Sequence, residues 1–139
     1  MFKFSGKRPL NLGVRDGKLA APPSTPNCVS SQAPDEGHHV APLSFTGDPG
    51  VAMQRLKAIV QAMPRTQVID SRADYLYAEF STPLMGFVDD VEFYCDGKVI
   101  HVRSASRLGY SDLGVNRKRV AAIRKAFGMA LPETRPGQP

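Results

Sequence analysis

Val88-Asp-Asp-Val-Glu-Phe-Tyr-Cys-Asp-Gly-Lys-Val-Ile-His-Val-Arg-Ser104 is the stretch that decides the fold. Two runs rich in β-branched and aromatic residues flank Asp96-Gly97, a pair that tolerates the positive backbone angles of a two-residue type I′ turn. A β-hairpin of Val88 to Cys95 with Lys98 to Ser104 is therefore expected, and such a turn sets its register. Cys95 then faces Lys98, Phe93 faces Ile100, Val91 faces Val102 and Asp89 faces Ser104 on one side of the sheet. Tyr94 faces Val99, Glu92 faces His101 and Asp90 faces Arg103 on the other. The first side has an apolar middle and suits a helical layer. The second carries two acid–base pairs, ordinary surface contacts of at most about 1 kcal/mol each if solvated. If the N-terminal segment covers them, they form a buried polar network.

Upstream, Thr66 to Ser71 and Tyr75 to Phe80 are short strand-forming runs around Arg72-Ala73-Asp74, a second hairpin. In its second strand Leu76, Ala78 and Phe80 share one side, and Tyr75, Tyr77 and Glu79 the other. Before it, Asp48-Pro49 is a helix start, because Asp accepts from the first-turn amides and Pro has no amide to leave unbonded there. Ala52, Leu56, Ile59, Val60 and Met63 give that helix its apolar face, and Pro64 ends it. Downstream, Val120, Ile123 and Phe127 form the stripe of a last helix beginning around Gly114 to Asn116, with Asn116 as the expected cap and Gly128 as the stop. The sequence thus predicts one α+β domain over residues 1–139. An antiparallel sheet of about four strands carries two helices on one face, in the order αββββα.

The ordered core is expected over about residues 48–128, flanked by an irregular N-terminal segment, 1–47, and a flexible tail, 129–139. Most of the twelve Pro and twelve Gly lie outside that core. The N-terminal segment is not low in complexity. Leu10, Leu12, Val14, Leu19, Val29, Val40, Leu43 and Phe45 would pack it over the sheet. Lys3, Lys7 and Arg8 precede no apolar run of signal-peptide length, and no stretch approaches the roughly 20 apolar residues that span a bilayer. A soluble, cytoplasmic protein is expected. Two distant cysteines, Cys28 and Cys95, give neither a disulfide framework nor a zinc site. The net charge of +5 is a moderate excess.

Four blocks carry a resemblance: Pro9-Leu-Asn-Leu-Gly-Val14, Pro26-Asn-Cys-Val-Ser-Ser-Gln32, Gly86-Phe-Val-Asp-Asp-Val-Glu-Phe93 and Arg103-Ser-Ala-Ser-Arg-Leu-Gly-Tyr-Ser-Asp-Leu-Gly-Val-Asn-Arg-Lys-Arg119. In this order they resemble the signature blocks of the family called domain of unknown function 1499, over about Pro9 to Phe127. The resemblance implies no particular activity or cofactor. It implies a membrane or export segment in many relatives, and this sequence shows none.

Three kinds of function compete. A binding module for a small anionic ligand, or an acidic group on a partner, would use the sheet face with Asp90, Glu92 and Arg103. It would also use the loop running from Ser104, Ser106 and Arg107 to Asn116 and Arg117, where guanidiniums and helix amides both donate. Ser30 and Ser31 could add hydroxyls, though serines beside Pro and Asn more often form turns. An acyl- or thiol-transfer enzyme would use Cys28 as nucleophile and His101 as base, which requires a lowered thiol pKa and hydrogen-bond reach. The plainer alternative is a small buried side chain. Nucleic-acid binding would use the basic last helix. Only two of Asp89, Asp90 and Glu92 share a face, so no metal site is expected, and the loop lacks the phosphate-loop pattern. No cofactor is implied.

Overall fold

The computed structural model describes residues 5–83, 86–109 and 112–129. The decisive hairpin is present as β5 (Val88–Cys95) and β6 (Val99–Ser106). Its register is displaced from the expected one: Cys95 faces Ile100, Phe93 faces Val102, Glu92 faces Arg103 and Tyr94 faces His101. Asp96 is the cause. Its carboxylate accepts from the amides of Lys98 at 2.8 Å and Val99 at 3.0 Å, and its own amide donates to the Val99 carbonyl. Asp96 therefore opens the turn instead of occupying its centre, and the positive φ of 96° falls on Gly97 alone. Because strand side chains alternate with a period of two, this displacement exchanges partners and leaves every side chain on its expected face. The pairs Asp90–Arg103 and Glu92–His101 do not form.

The second hairpin is β3 (Thr66–Ser71) with β4 (Tyr75–Ser81), and β4 pairs with β5. These four strands are the expected meander. Two more, β1 (Cys28–Ser30) and β2 (Leu43–Ser44), come from the N-terminal segment and share the outer edge of β6. The sheet is therefore six-stranded and antiparallel, and the order is ββαββββα instead of αββββα. Strands of three and two residues lie below the length at which alternation can be recognised.

Helix α1 (Pro49–Gln61) starts as expected, with the Asp48 carboxylate accepting from the Val51 amide at 2.9 Å. Helix α2 (Val115–Met129) is not capped by Asn116. The Asp112 carboxylate takes the amides of Gly114 at 2.8 Å and Asn116 at 3.1 Å, while Asn116 is fully buried inside the first turn. Both helices lie on one face of the sheet. There Leu56, Val60, Val120, Ile123 and Phe127 close on Leu76, Ala78, Val91, Phe93, Ile100 and Val102.

The opposite face is crossed by residues 5–21, a strap outside the sheet. Leu19 packs on Tyr75 and Tyr77, with Leu12, Val14 and Tyr94 around them. Its remaining ties to the sheet run through side chains. The Gly13 amide donates to Glu92 at 2.6 Å, and Arg103 donates to the carbonyls of Ala20 at 2.8 Å and Ala21 at 3.4 Å. The expected tail lies outside the described residues beyond Met129. Among the described residues no helix is long and apolar enough to cross a membrane, and no three His, Cys, Asp or Glu side chains converge as metal ligands.

Candidate functional site

Strand pairing lays the polar face out as three rows. Tyr75, Tyr94 and His101 make the first, Tyr77, Glu92, Arg103 and Ser30 the second, and Glu79, Asp90, Ala105 and Cys28 the third. The rows are cross-linked diagonally. The Tyr75 hydroxyl donates to Glu92 Oε2 at 2.5 Å, and the Tyr77 hydroxyl lies 2.5 Å from Asp90 and 2.9 Å from Glu79. Burial first, and the carboxylate acceptors second, hold both phenols above their ordinary pKa. Tyr77 has one hydrogen for two carboxylates, and Arg107 supplies the rest. Its guanidinium donates to Glu79 at 2.6 Å and to both oxygens of Asp90 at 2.9 Å. Glu92 is 1 % exposed; its Oε2 holds Gly13 and Tyr75, and its Oε1 has no hydrogen-bond partner among the described residues.

The arginines expected to receive an anion are thus bonded within the protein. Arg103 holds the strap, Arg107 holds Asp90 and Glu79, and Arg117 donates to the carbonyls of His39 at 2.9 Å and Gly37 at 3.0 Å. Helix α2 shows the same economy of charge. Arg119 pairs with buried Asp89 at 2.7 Å, Arg124 donates to the Ala41 carbonyl, and Lys118 and Lys125 are left on its exposed surface.

Cys28 and His101 lie on the polar face in different rows. The Cys28 thiol is 1 % exposed and directed at the Val29 carbonyl, 3.8 Å away. Burial pushes it up to about 11, against a weaker lowering by Arg103. His101 contacts Ser31 Oγ at 3.1 Å through Nδ1 and Asp96 at 3.1 Å through Nε2. With Cys95 also buried, native protein at pH 7 is expected to leave both thiols unmodified by an aromatic disulfide reagent, and to release both when unfolded in urea. Rapid stoichiometric labelling of native Cys28 would restore it as a nucleophile.

The four serines of the expected site divide. Ser30 Oγ accepts from the Gln32 amide at 3.1 Å and Ser31 Oγ from the Val102 amide at 2.9 Å, so both build the turn after β1. Ser104 and Ser106 point to the helical side and meet Asn116, away from Asp90 and Glu92.

Two hollows open among the described residues. One, of ≈ 260 Å³, lies between the start of β5, the end of β6 and the start of α2, against Val88, Asp89, Ser106, Leu108 and Val115. The other, of ≈ 520 Å³, lies on the polar face where the strap meets β3, β4 and β5. Its walls are Tyr75, Tyr77 and Tyr94, with Leu12, Val14 and Ile69 beside them and Asp70, Arg72 and Asp74 at its mouth. Tyr94 stacks on His101, ring centroids 6.4 Å apart, and its hydroxyl makes no hydrogen bond among the described residues. The tyrosines were legible as one side of β4. What hid the hollow was the strap, which closes it with residues some 60 positions upstream.

A six-stranded antiparallel sheet with two helices on one face and a coil strap on the other defines an α+β protein with a covered polar sheet face. The chain belongs to the protein family of unknown function DUF1499, whose model matches residues 18–127. No curated protein matches the chain.

Proposed function

We propose that the protein is a binding module, acting by recognition and not by catalysis, and that its site is the tyrosine-walled hollow on the polar sheet face. The observation that carries this is the hollow itself. At ≈ 520 Å³ it falls within the roughly 300–1,000 Å³ of small-molecule sites, and the ≈ 260 Å³ hollow by α2 falls below it. Its tyrosines are amphipathic, and Tyr75 and Tyr77 are held in place by buried acceptors, which favours recognition at little ordering cost.

The class of function is the one the sequence suggests, with a different part of the same face as its centre. An anion would have to displace the strap carbonyls from Arg103 or the carboxylates from Arg107. A thiol enzyme would have to unmask Cys28, and a nucleic acid would find Arg119 of α2 paired with Asp89 and Arg117 and Arg124 engaged by backbone carbonyls.

The chain has no Trp and four Tyr, three of which wall the hollow, so tyrosine emission reports on it directly. Screening small organic molecules is expected to give saturable changes in emission that Tyr94→Ser removes and that Leu108→Ser, in the smaller hollow, leaves in place. Ligands lost in Leu108→Ser and kept in Tyr94→Ser would move the site to the α2 end, and a screen without saturable ligands would overturn the assignment.

A further inference from the structure

The chemistry of the walls goes further than the existence of a site. Tyrosine rings present a negative face, and a cation within about 6 Å of a ring centroid is attracted to it. The protein's own guanidiniums already use this: Arg72 stands 5.7 Å from the Tyr75 ring and Arg8 6.0 Å from the Tyr77 ring.

The charges near the hollow have the same sense. At its mouth stand Asp70, Asp74 and Arg72. Arg72 is bonded bidentately to Asp70, at 2.9 and 3.3 Å, and Asp74 has no side-chain partner among the described residues. One hydrogen bond behind the wall lies Glu92, which receives Tyr75 and Gly13, two wall residues, on Oε2. Its Oε1 is buried without a partner, and Glu92 makes no ion pair among the described residues. In a chain of net charge +5, the charged side chains that line this hollow are two carboxylates and one guanidinium. Leu12, Val14 and Ile69 complete it as an apolar flank.

We infer that the ligand is a small organic cation, an alkylguanidinium or alkylammonium. Its head lies against Tyr75 and Tyr94 within reach of Asp70 and Asp74, and its stem lies on Leu12, Val14 and Ile69. The inference rests on the assignment of the hollow as the binding site. Arg72 is then an internal stand-in for the ligand, exposed over the mouth and able to swing away, and an entering cation takes its place between Asp70 and the Tyr75 ring.

The test uses the full chain and three probes of similar length: n-pentylguanidinium as the cation, n-pentylurea as its neutral counterpart and hexanoate as an anion. Binding is measured by calorimetry and by the ring resonances of Tyr75 and Tyr94. The guanidinium is expected to shift both rings and to bind at least about tenfold more tightly than n-pentylurea. Asp74→Asn should weaken n-pentylguanidinium several-fold without changing n-pentylurea, and Arg72→Ala, which removes the competitor from an exposed position, should strengthen it. Equal binding of n-pentylguanidinium and n-pentylurea at these rings overturns the cation and leaves the hollow as a site for neutral ligands. Preferential binding of hexanoate overturns the cation in favour of an anion. If no probe moves either ring, the cation is overturned, and the emission screen then decides separately whether the hollow binds anything.

Discussion

Arg107→Met is expected to destabilise the fold by about 3–5 kcal/mol at pH 7, the range for removing one partner from a buried ion pair. Arg107 and Asp90 have side chains 7 % and 2 % exposed, and Glu79 is 15 % exposed. Without the guanidinium, two carboxylates share the single hydrogen of Tyr77 and face each other across paired strands. Burial alone would raise the Glu79 carboxyl; the hydrogen bonds from Arg8 and Tyr77 and the charge of Arg107 outweigh it and hold the group below its usual range. A carboxyl lowered in the folded state contributes stability that is present above its unfolded pKa and is lost as pH falls through the folded value. The variant lacks part of that lowering. Its deficit should therefore be largest near neutrality and should shrink progressively below about pH 4, as the unfolded chain protonates its carboxyls and the pH approaches the lowered folded value of Glu79. Urea unfolding at pH 7 and pH 3.5 measures both points. A deficit that is constant across this range would mean that Arg107 acts by packing alone.

Asn116→Ala is expected to cost about 2–4 kcal/mol, because several buried groups lose a partner at once. The Asn116 carbonyl accepts from the Ser104 hydroxyl at 2.6 Å and from Arg119 at 2.8 Å. Its amide donates to Asp112 at 2.7 Å and to Ser106 at 2.8 Å, and comes within 3.3 Å of the Asn27 carbonyl. One side chain thus joins β6, the approach to β1, the α2 cap and, through Arg119, the buried Asp89 on β5. Guanidinium unfolding followed by circular dichroism gives the number. A loss under about 1 kcal/mol would show that these ties are redundant with the packing of Val120, Ile123 and Phe127.

Much of this arrangement was legible in the residues and some of it was not, for identifiable reasons. The Asp48-Pro49 start, the face of Leu56 and Val60 and the sides of both hairpins follow from local chemistry that the tertiary fold does not override. The partners across β5 and β6 were misjudged because Asp-Gly can enter a turn in two ways. A carboxylate that bonds its own following amides selects the less familiar one. Asn116 resembles a cap in sequence, yet Ser104 and Ser106 of β6 and Asn27, just before β1, claim it. The polar residues of the face were identified as a group, and alternation alone was enough for that. Their pairings were not, since they depend on a strap whose anchors lie some 70–100 positions from their partners.

That separation has a consequence for how the protein comes into being. Residues 5–44 emerge during synthesis well before the groups that receive them, Glu92, Arg103, Arg107, Asn116 and Arg117. The meander of β3 to β6 closes through short connections and can form on its own schedule, whereas the strap and β1 must wait for it. The earlier-made segment is thus the later to find its place. Until then Leu12, Val14 and Leu19 lack the tyrosines they pack on and travel uncovered.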